Sequence, residues 1–380
     1  MSGPAPRIEI RLSDIEHNTR VLVDLLGRHG ISLTGVTKAT CGSPDVALAM
    51  LRGGAQAIGE SRIENIERLR HGGIGAPIVM LRAPMLSQAD RVVATTDTSL
   101  NSEIDVIQAL SRAARSQRRT HQVVLMVELG DLREGVMAEC LDTLVNATLQ
   151  LPNIKLHGIG ANLACQHGVA PDVTNMAVLS QLCDQTERAI GLPLTLVSGG
   201  NSANLNWVTG NQGVGRVNNL RIGEAILLGR ETLDRTAFPG LRTEAFKVVG
   251  EVIESLRKPA EPWGTRHATT FEPRQGSNQR LDTLPNLQAR AYMGEHVNPD
   301  PEASTARLQS RVIVALGHQD TDPDGLTPHG IFRIVGASSD HLILDTGAHT
   351  LAIGTEVKFS PDYKALLRAM TSPFVEKVFV

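Results

Sequence analysis

From about residue 13 to residue 235, helical patterns alternate with short apolar runs, and this alternation restricts the chain to β-α units built around a parallel sheet. Eight runs can be read: ISLTGVT (31–37), AQAIGE (55–60), PIVMLR (77–82), RVVATT (91–96), HQVVLMVEL (121–129), IKLHGIGA (154–161), LPLTLVSG (192–199) and NNLRIG (218–223). Eight parallel strands close most economically into a (β/α)8 barrel, whereas open doubly wound sheets commonly have about five or six. Helix starts fall between the runs. Ser13-Asp14-Ile15-Glu16 and Ser61-Arg62-Ile63-Glu64 read as capping boxes, and Ser43-Pro44 as an N-cap followed by proline in the first turn.

The chain has 380 residues, well beyond the roughly 250 that a barrel needs, so a second domain is expected. After about residue 236 the texture becomes β-rich, in AFKVVGEVIESL, QSRVIVALG, GIFRIVGA, HLILDTG and EVKFS, separated by Gly, Asp and Pro turns. The expected organisation is a barrel over 1–235 and a β domain over 236–380. Residues 259–307, rich in Pro, Arg, Asn and Gln, form an irregular insert in the second domain.

Composition narrows the function. A net charge of -3 with interspersed signs offers no basic stripe for nucleic acid and no polybasic membrane patch, and 3% aromatic residues leave little for base stacking. No apolar stretch approaches a membrane span, and MSGPAPRIEIRL lacks the apolar core of a signal peptide, so a cytoplasmic protein is expected. Cys41, Cys140, Cys165 and Cys183 show no paired or framework spacing, which points to reduced thiols and to no zinc site.

In a β/α barrel the reactive groups sit at the C-terminal ends of the strands. Lys38 ends the first run. It reads either as a surface-loop lysine or as an amine aimed into the barrel mouth, where partial desolvation would make it carbonyl-reactive. The seventh run ends in Ser198-Gly199-Gly200-Asn201-Ser202 and the eighth in Arg221-Ile222-Gly223-Glu224. Loops after strands seven and eight frequently hold a phosphate in such barrels, and the glycines let backbone approach it. A lysine facing a phosphate site is what a phosphorylated aldehyde cofactor requires.

The segments VTKATCGSPDVALAMLRGG, IGESRIENIERLR, GNSANL, VNNLRIGEAILLG, LGHQDTDPDG and GASSDHLILD closely resemble the alanine/ornithine racemase family of PLP-dependent enzymes, over nearly the whole chain apart from the insert. The resemblance implies a PLP-binding barrel followed by a β domain, in a head-to-tail homodimer whose active sites draw residues from both subunits. It implies an isomerase that exchanges the α-proton of a free amino acid, most readily ornithine or another small or diamino acid. By position it makes Lys38 the Schiff-base lysine, Asn201, Ser202 and the amide of Gly223 phosphate binders, Arg221 the partner of the pyridine nitrogen, and Arg133 a neighbour of the phenolic oxygen. Asn162 stands where alanine racemases carry a histidine that supports the arginine.

A guanidinium stays protonated and can only donate to the ring nitrogen, which leaves the cofactor a weaker electron sink and suits reversible removal of one proton. Racemisation also needs a second acid/base group. Where the family has a tyrosine from the β domain, this chain has His318 in Gly317-His318-Gln319-Asp320, and a histidine near neutral pKa can do the same transfer. The chain's tyrosines, Tyr292 and Tyr363, do not match that motif. The acidic run Asp320-Thr321-Asp322-Pro323-Asp324 reads as a solvated turn or as a receiver for the distal ammonium of a diamino acid. Two alternatives share the barrel and the lysine. A PLP-homeostasis protein would lack the β domain. A PLP decarboxylase would place a cysteine in it, whereas all four cysteines here precede residue 184.

Overall fold

The structure, a computed structural model, describes residues 3–210, 213–259 and 308–380. It divides into two compact units: 11–246 with 379–380, and 1–10 with 247–378.

In the first unit, β2 (Ser32–Val36), β3 (Ala57–Glu60), β4 (Ile78–Met80), β5 (Thr98–Asn101), β6 (His121–Met126), β7 (Ile154–Gly160), β8 (Leu196–Ser198) and β9 (Asn219–Ile222) form a closed parallel barrel in that order. β9 returns to β2 with Thr34 opposite Arg221 and Gly35 opposite Ile222. Leu100, Val124 and Met126, packed by Val79, Leu81 and Leu196, form part of its apolar core. The helices α1 (Leu12–Gly27), α2 (Pro44–Arg52), α3 (Ile63–His71), α4 (Ala89–Thr95), α5 (Ile104–Ser116), α6 (Leu141–Leu149), α7 (Val173–Ile190), α8 (Leu205–Thr209) and α9 (Glu224–Leu228) alternate with the strands. Their apolar stripes follow helical spacing; α1 buries Ile15, Leu22 and Leu26, and α5 buries Ile107, Leu110 and Ala114. The eight-stranded barrel expected from the alternation is therefore the fold.

One of the eight runs is misplaced. Residues 91–96 lie in α4 and its C-cap, where Thr95 and Thr96 turn their hydroxyls back onto the carbonyls of Arg91 and Val92 at 2.7 and 2.6 Å. The strand is instead Thr98–Asn101, all four residues buried. Several of its polar groups bond to one another or to β6: Asn101 Nδ2 donates to the Ser99 carbonyl at 2.9 Å, and Ser99 Oγ lies 2.8 Å from His121 Nε2. A strand that buries polar groups in mutual bonds carries no apolar signature.

The capping expectations divide. Ser43 caps α2 by accepting from the Val46 amide at 3.4 Å. Neither Ser13 nor Ser61 caps a helix. α1 already starts at Leu12, which places Ser13 inside its first turn. At α3 the N-cap is Arg62, with Ser61 one residue before it, and the amides of Ser61 and Arg62 donate to the Glu60 carboxylate at 2.7 and 3.3 Å.

The second unit is an antiparallel sheet, with β1 (Arg7–Ile10), β10 (Phe246–Pro259), β11 (Leu308–Val314), β12 (Leu326–Pro328), β13 (Arg333–Ala337), β14 (Leu342–Asp345), β15 (Glu356–Pro361) and β16 (Glu376–Phe379). The order is β12-β15-β10-β11-β14-β13, and β1 pairs with β10 and β16. β10 serves two neighbours along its length: Val248–Glu251 pair with β15, and from Val252 onward, with an irregularity at Ile253, the strand pairs with β11. The helix α10 (Tyr363–Thr371) is capped by Asp362, which accepts from the Ala365 amide at 2.8 Å. The division between units thus falls at 246 rather than 235, and residues 1–10 go with the β unit because β1 is hydrogen-bonded to its strands. Beyond Pro259 the expected insert, with Tyr292, lies outside the described residues.

Candidate active site

The residues singled out in the barrel converge because they follow adjacent strands. Going round the barrel from β6 through β7, β8 and β9 to β2, the C-terminal ends carry Arg133, Asn162, Asn201 with Ser202, Arg221 with Gly223, and Lys38. Successive parallel strands place their last residues side by side, so this order assembles one mouth.

Lys38 opens a single 3-10 turn, Lys38–Thr40, directly after β2, and is exposed while Thr37, Ala39 and Thr40 around it are buried. The turn is held on several sides. Thr37 Oγ1 donates to Glu60 Oε2 at 3.1 Å, Thr40 Oγ1 to the Thr37 carbonyl at 2.9 Å, and the Arg68 guanidinium to the Cys41 carbonyl. Gly42 is in the left-handed region at φ 62°, where an added Cβ would come within 2.7 Å of the Asn65 carbonyl oxygen. Glu60 is fully buried. Desolvation raises its carboxyl above the usual range, and its bonds to Ser61, Asn65, Thr37 and Arg62 oppose that rise. Glu60 was legible as the last residue of its run, but its role as support for the lysine turn was not.

Arg221 lies at 6% exposure. Its guanidinium donates to Ser198 Oγ, to the Ala161 carbonyl at 2.8 Å and to Asn162 Oδ1 at 3.3 Å, all neutral acceptors, and no carboxylate among the described residues pairs with it. Burial pushes its pKa down to about 10, so it remains a cation at neutral pH. A buried cation held only by neutral oxygens has donor capacity for one more acceptor, and the lone pair of a pyridine nitrogen fits that need. Ser202 Oγ accepts from the Ala225 amide at 3.2 Å, which leaves its hydroxyl to donate. Gly223 is the N-cap of α9, and a Cβ there would press on Val36 of β2 at 3.2 Å. These two positions meet where a phosphate could be bound by a hydroxyl and by helix-start amides.

Asn201 behaves differently from a free phosphate donor. Its Nδ2 donates to Asn162 Oδ1 at 3.1 Å and to the Leu163 carbonyl at 2.8 Å, and its Oδ1 accepts from the Ala203 amide at 2.8 Å. It organises the loop. Asn162 supports Arg221 through Oδ1 and donates to Cys165 Sγ at 3.1 Å. Arg133 is exposed and pairs with its neighbour Glu134.

His318 belongs to the β unit. It sits half-buried in the turn after β11, its amide donating to the Ser338 carbonyl at 3.0 Å and its own carbonyl accepting from Arg368 Nη2 at 2.8 Å. Asp320 is a structural member of that turn, accepting from the Gly317 amide at 2.8 Å, while Asp322 is half-buried and Asp324 exposed. Among the described residues no group of His, Cys, Asp and Glu is arranged to hold a metal, and no helix is long and apolar enough to cross a membrane.

The model of the alanine racemase N-terminal domain matches residues 10–231. The chain belongs to the alanine racemase family. It is 34% identical to a lysine racemase of Thermotoga maritima, with 98% of both chains covered, and 31% identical to an ornithine racemase of Acetoanaerobium sticklandii, with 98% of this chain and 99% of that one covered. Among solved structures, an alanine racemase from a D-cycloserine-producing Streptomyces lavendulae superposes with a TM-score of 0.72 at 17% identity, covering 100% of this chain and 98% of that one. This family member is an amino-acid racemase, an isomerase.

Proposed function

We propose that the chain is a PLP-dependent racemase of a free diamino acid, ornithine or lysine, with Lys38 as the cofactor-holding lysine and one of two acid/base groups. The observation that carries this reading is Arg221, a buried cation with only neutral partners, on β9 next to the strand that delivers Lys38. PLP, when bound, supplies the electron sink that makes a substrate α-proton removable.

The protein's part is to hold and move protons. Ser202 and the Gly223 amide hold the phosphate, and Arg221 donates to the ring nitrogen without being able to protonate it, which keeps the sink weak. Lys38 takes or returns the proton at the α-carbon on one face. His318 serves the other face from the partner subunit of a head-to-tail homodimer. Exposed Met85, Leu86, Leu132 and Met137, on the segments that follow β4 and β6, support such a partner surface at the strand ends. Asp322 or Asp324 receives the distal ammonium of the substrate. The relatives that racemise lysine and ornithine support this choice. Free cysteines throughout and the near-neutral charge fit a cytoplasmic enzyme.

The test is direct. Borohydride treatment of the purified protein should bleach its visible PLP absorbance and fix the cofactor to the peptide carrying Lys38. In deuterated water the enzyme should incorporate deuterium at the α-carbon of both enantiomers of ornithine or lysine. Protein without PLP absorbance, or without exchange into either enantiomer of any amino acid tried, overturns the reading.

A further inference from the structure

The loop after β6 carries a buried carboxylate that the racemase chemistry does not use. Asp131 has 0% exposure, yet its oxygens accept from four backbone amides of the loop after β7: Cys165 at 3.0 Å, Gln166 at 2.8 Å, His167 at 3.0 Å and Val169 at 3.3 Å. The Asp131 carbonyl is also 2.8 Å from His167 Nδ1. Desolvation works against the charge, and the four amides outweigh it and hold the carboxyl below the usual range. This one side chain therefore ties two neighbouring strand-end loops together.

What the clamp positions is the arginine support. Cys165, the first residue it holds, presents Sγ to Asn162 Nδ2 at 3.1 Å and to Asn201 Nδ2 at 3.5 Å. An amide whose nitrogen is fixed has its oxygen fixed as well, and Asn162 Oδ1 is the atom that accepts from Arg221. Arg133 lies two residues beyond Asp131 on the same loop. We infer that Asp131 is a positioning residue: through Cys165 and Asn162 it sets the orientation of Arg221, and by joining the two loops it anchors the segment that carries Arg133. The inference rests on the reading above only in giving Arg221 and Arg133 to the cofactor.

The clamp itself can be tested without PLP. In the full chain freed of cofactor, Asp131→Asn should speed amide hydrogen exchange in the peptide spanning 163–170 and leave the rest of the barrel unchanged. Reconstituted with PLP, the same variant should bind it more weakly, alter its visible spectrum and lose about tenfold to a hundredfold in kcat with a smaller change in KM, the scale expected of misplaced groups. A purely structural aspartate would move exchange or melting temperature and leave spectrum, affinity and kcat as in wild type; that outcome overturns the inference. Cys165→Ala keeps the carboxylate and its amides but removes the sulfur, and should weaken PLP binding several-fold at wild-type melting temperature. If Asp131→Asn fails to fold, Cys165→Ala decides, since wild-type spectrum and affinity in that variant also overturn the inference. A wild-type chain that binds no PLP would sink the functional reading, while the exchange data would still decide the clamp.

Discussion

His121 opens β6 at the foot of the barrel, 1% exposed, with Ser99 as its hydroxyl partner. Burial pushes its pKa down to about 4, against a weaker opposing pull from Asp97. The folded ring stays neutral while the unfolded ring takes a proton below about pH 6.5, so stability should fall as pH drops from 6.5 toward 4, by up to about 3 kcal/mol. Urea melts across that window should show the loss, and His121→Asn should flatten it; equal slopes in both proteins would contradict the assignment. The same scale shows what a sequence discloses. The place of Lys38 and Arg221 at the barrel mouth was legible because strand ends in a barrel have a fixed meaning. Asp131 was not, because its partners are backbone amides more than thirty residues away that leave no mark on composition. His318 was visible only as the occupant of a position where a tyrosine was expected.

At the level of elements, Gly158 of β7 stands opposite Leu196 of β8 with no room for a side chain. An added Cβ would lie 1.7 Å from the Leu196 carbonyl oxygen, and opposite it the register between β6 and β7 slips past His157. Gly158→Ala must push β8 outward, and a loss of about 1–3 kcal/mol or more is expected, with kcat falling because β8 leads into the Asn201 loop. Wild-type stability in a denaturant melt would refute this. In the β unit, Arg7 of β1 is 1% exposed and joins Glu9 at 2.7 Å and Glu356 at 2.6 Å. Removing the cation leaves Glu9 with Lys358 as its remaining partner, at 2.9 Å, so Arg7→Met should cost about 1–3 kcal/mol, read by calorimetry. The elements that the sequence missed have two causes. β5 carries polar side chains bonded to one another, and β1, β12 and β16 are three or four residues long, too short for alternation to register.

Across the whole molecule, two compact units and an apolar barrel rim make separate expectations. Because the proposed phosphate and ring contacts all lie in the barrel unit, PLP at a hundred times its Kd should stabilise that unit by about 2.7 kcal/mol. A calorimetric scan should show one transition moved by PLP and another left in place. Leu132, 68% exposed, and Leu86, 58% exposed, are the rim residues to charge: a Leu86→Lys, Leu132→Lys double variant should sediment as a monomer and lose racemisation while keeping its PLP absorbance. A variant that sediments like the wild type and stays active would remove that rim from the proposed interface. The pairing of β1 with β10 and β16 has a consequence for biosynthesis. The strand translated ahead of the barrel has partners that emerge only after the barrel is complete, and at about 5–20 residues per second that interval is on the order of tens of seconds. Throughout it, Arg7 and Ile8 travel with an unmatched strand edge on a nascent chain, and the carboxylate that will receive Arg7 from β15 has yet to be made. Selection on such a chain acts on the solubility of that waiting strand as well as on the finished sheet, and the alternation of Arg7 and Glu9 with Ile8 and Ile10 supplies it with two charges.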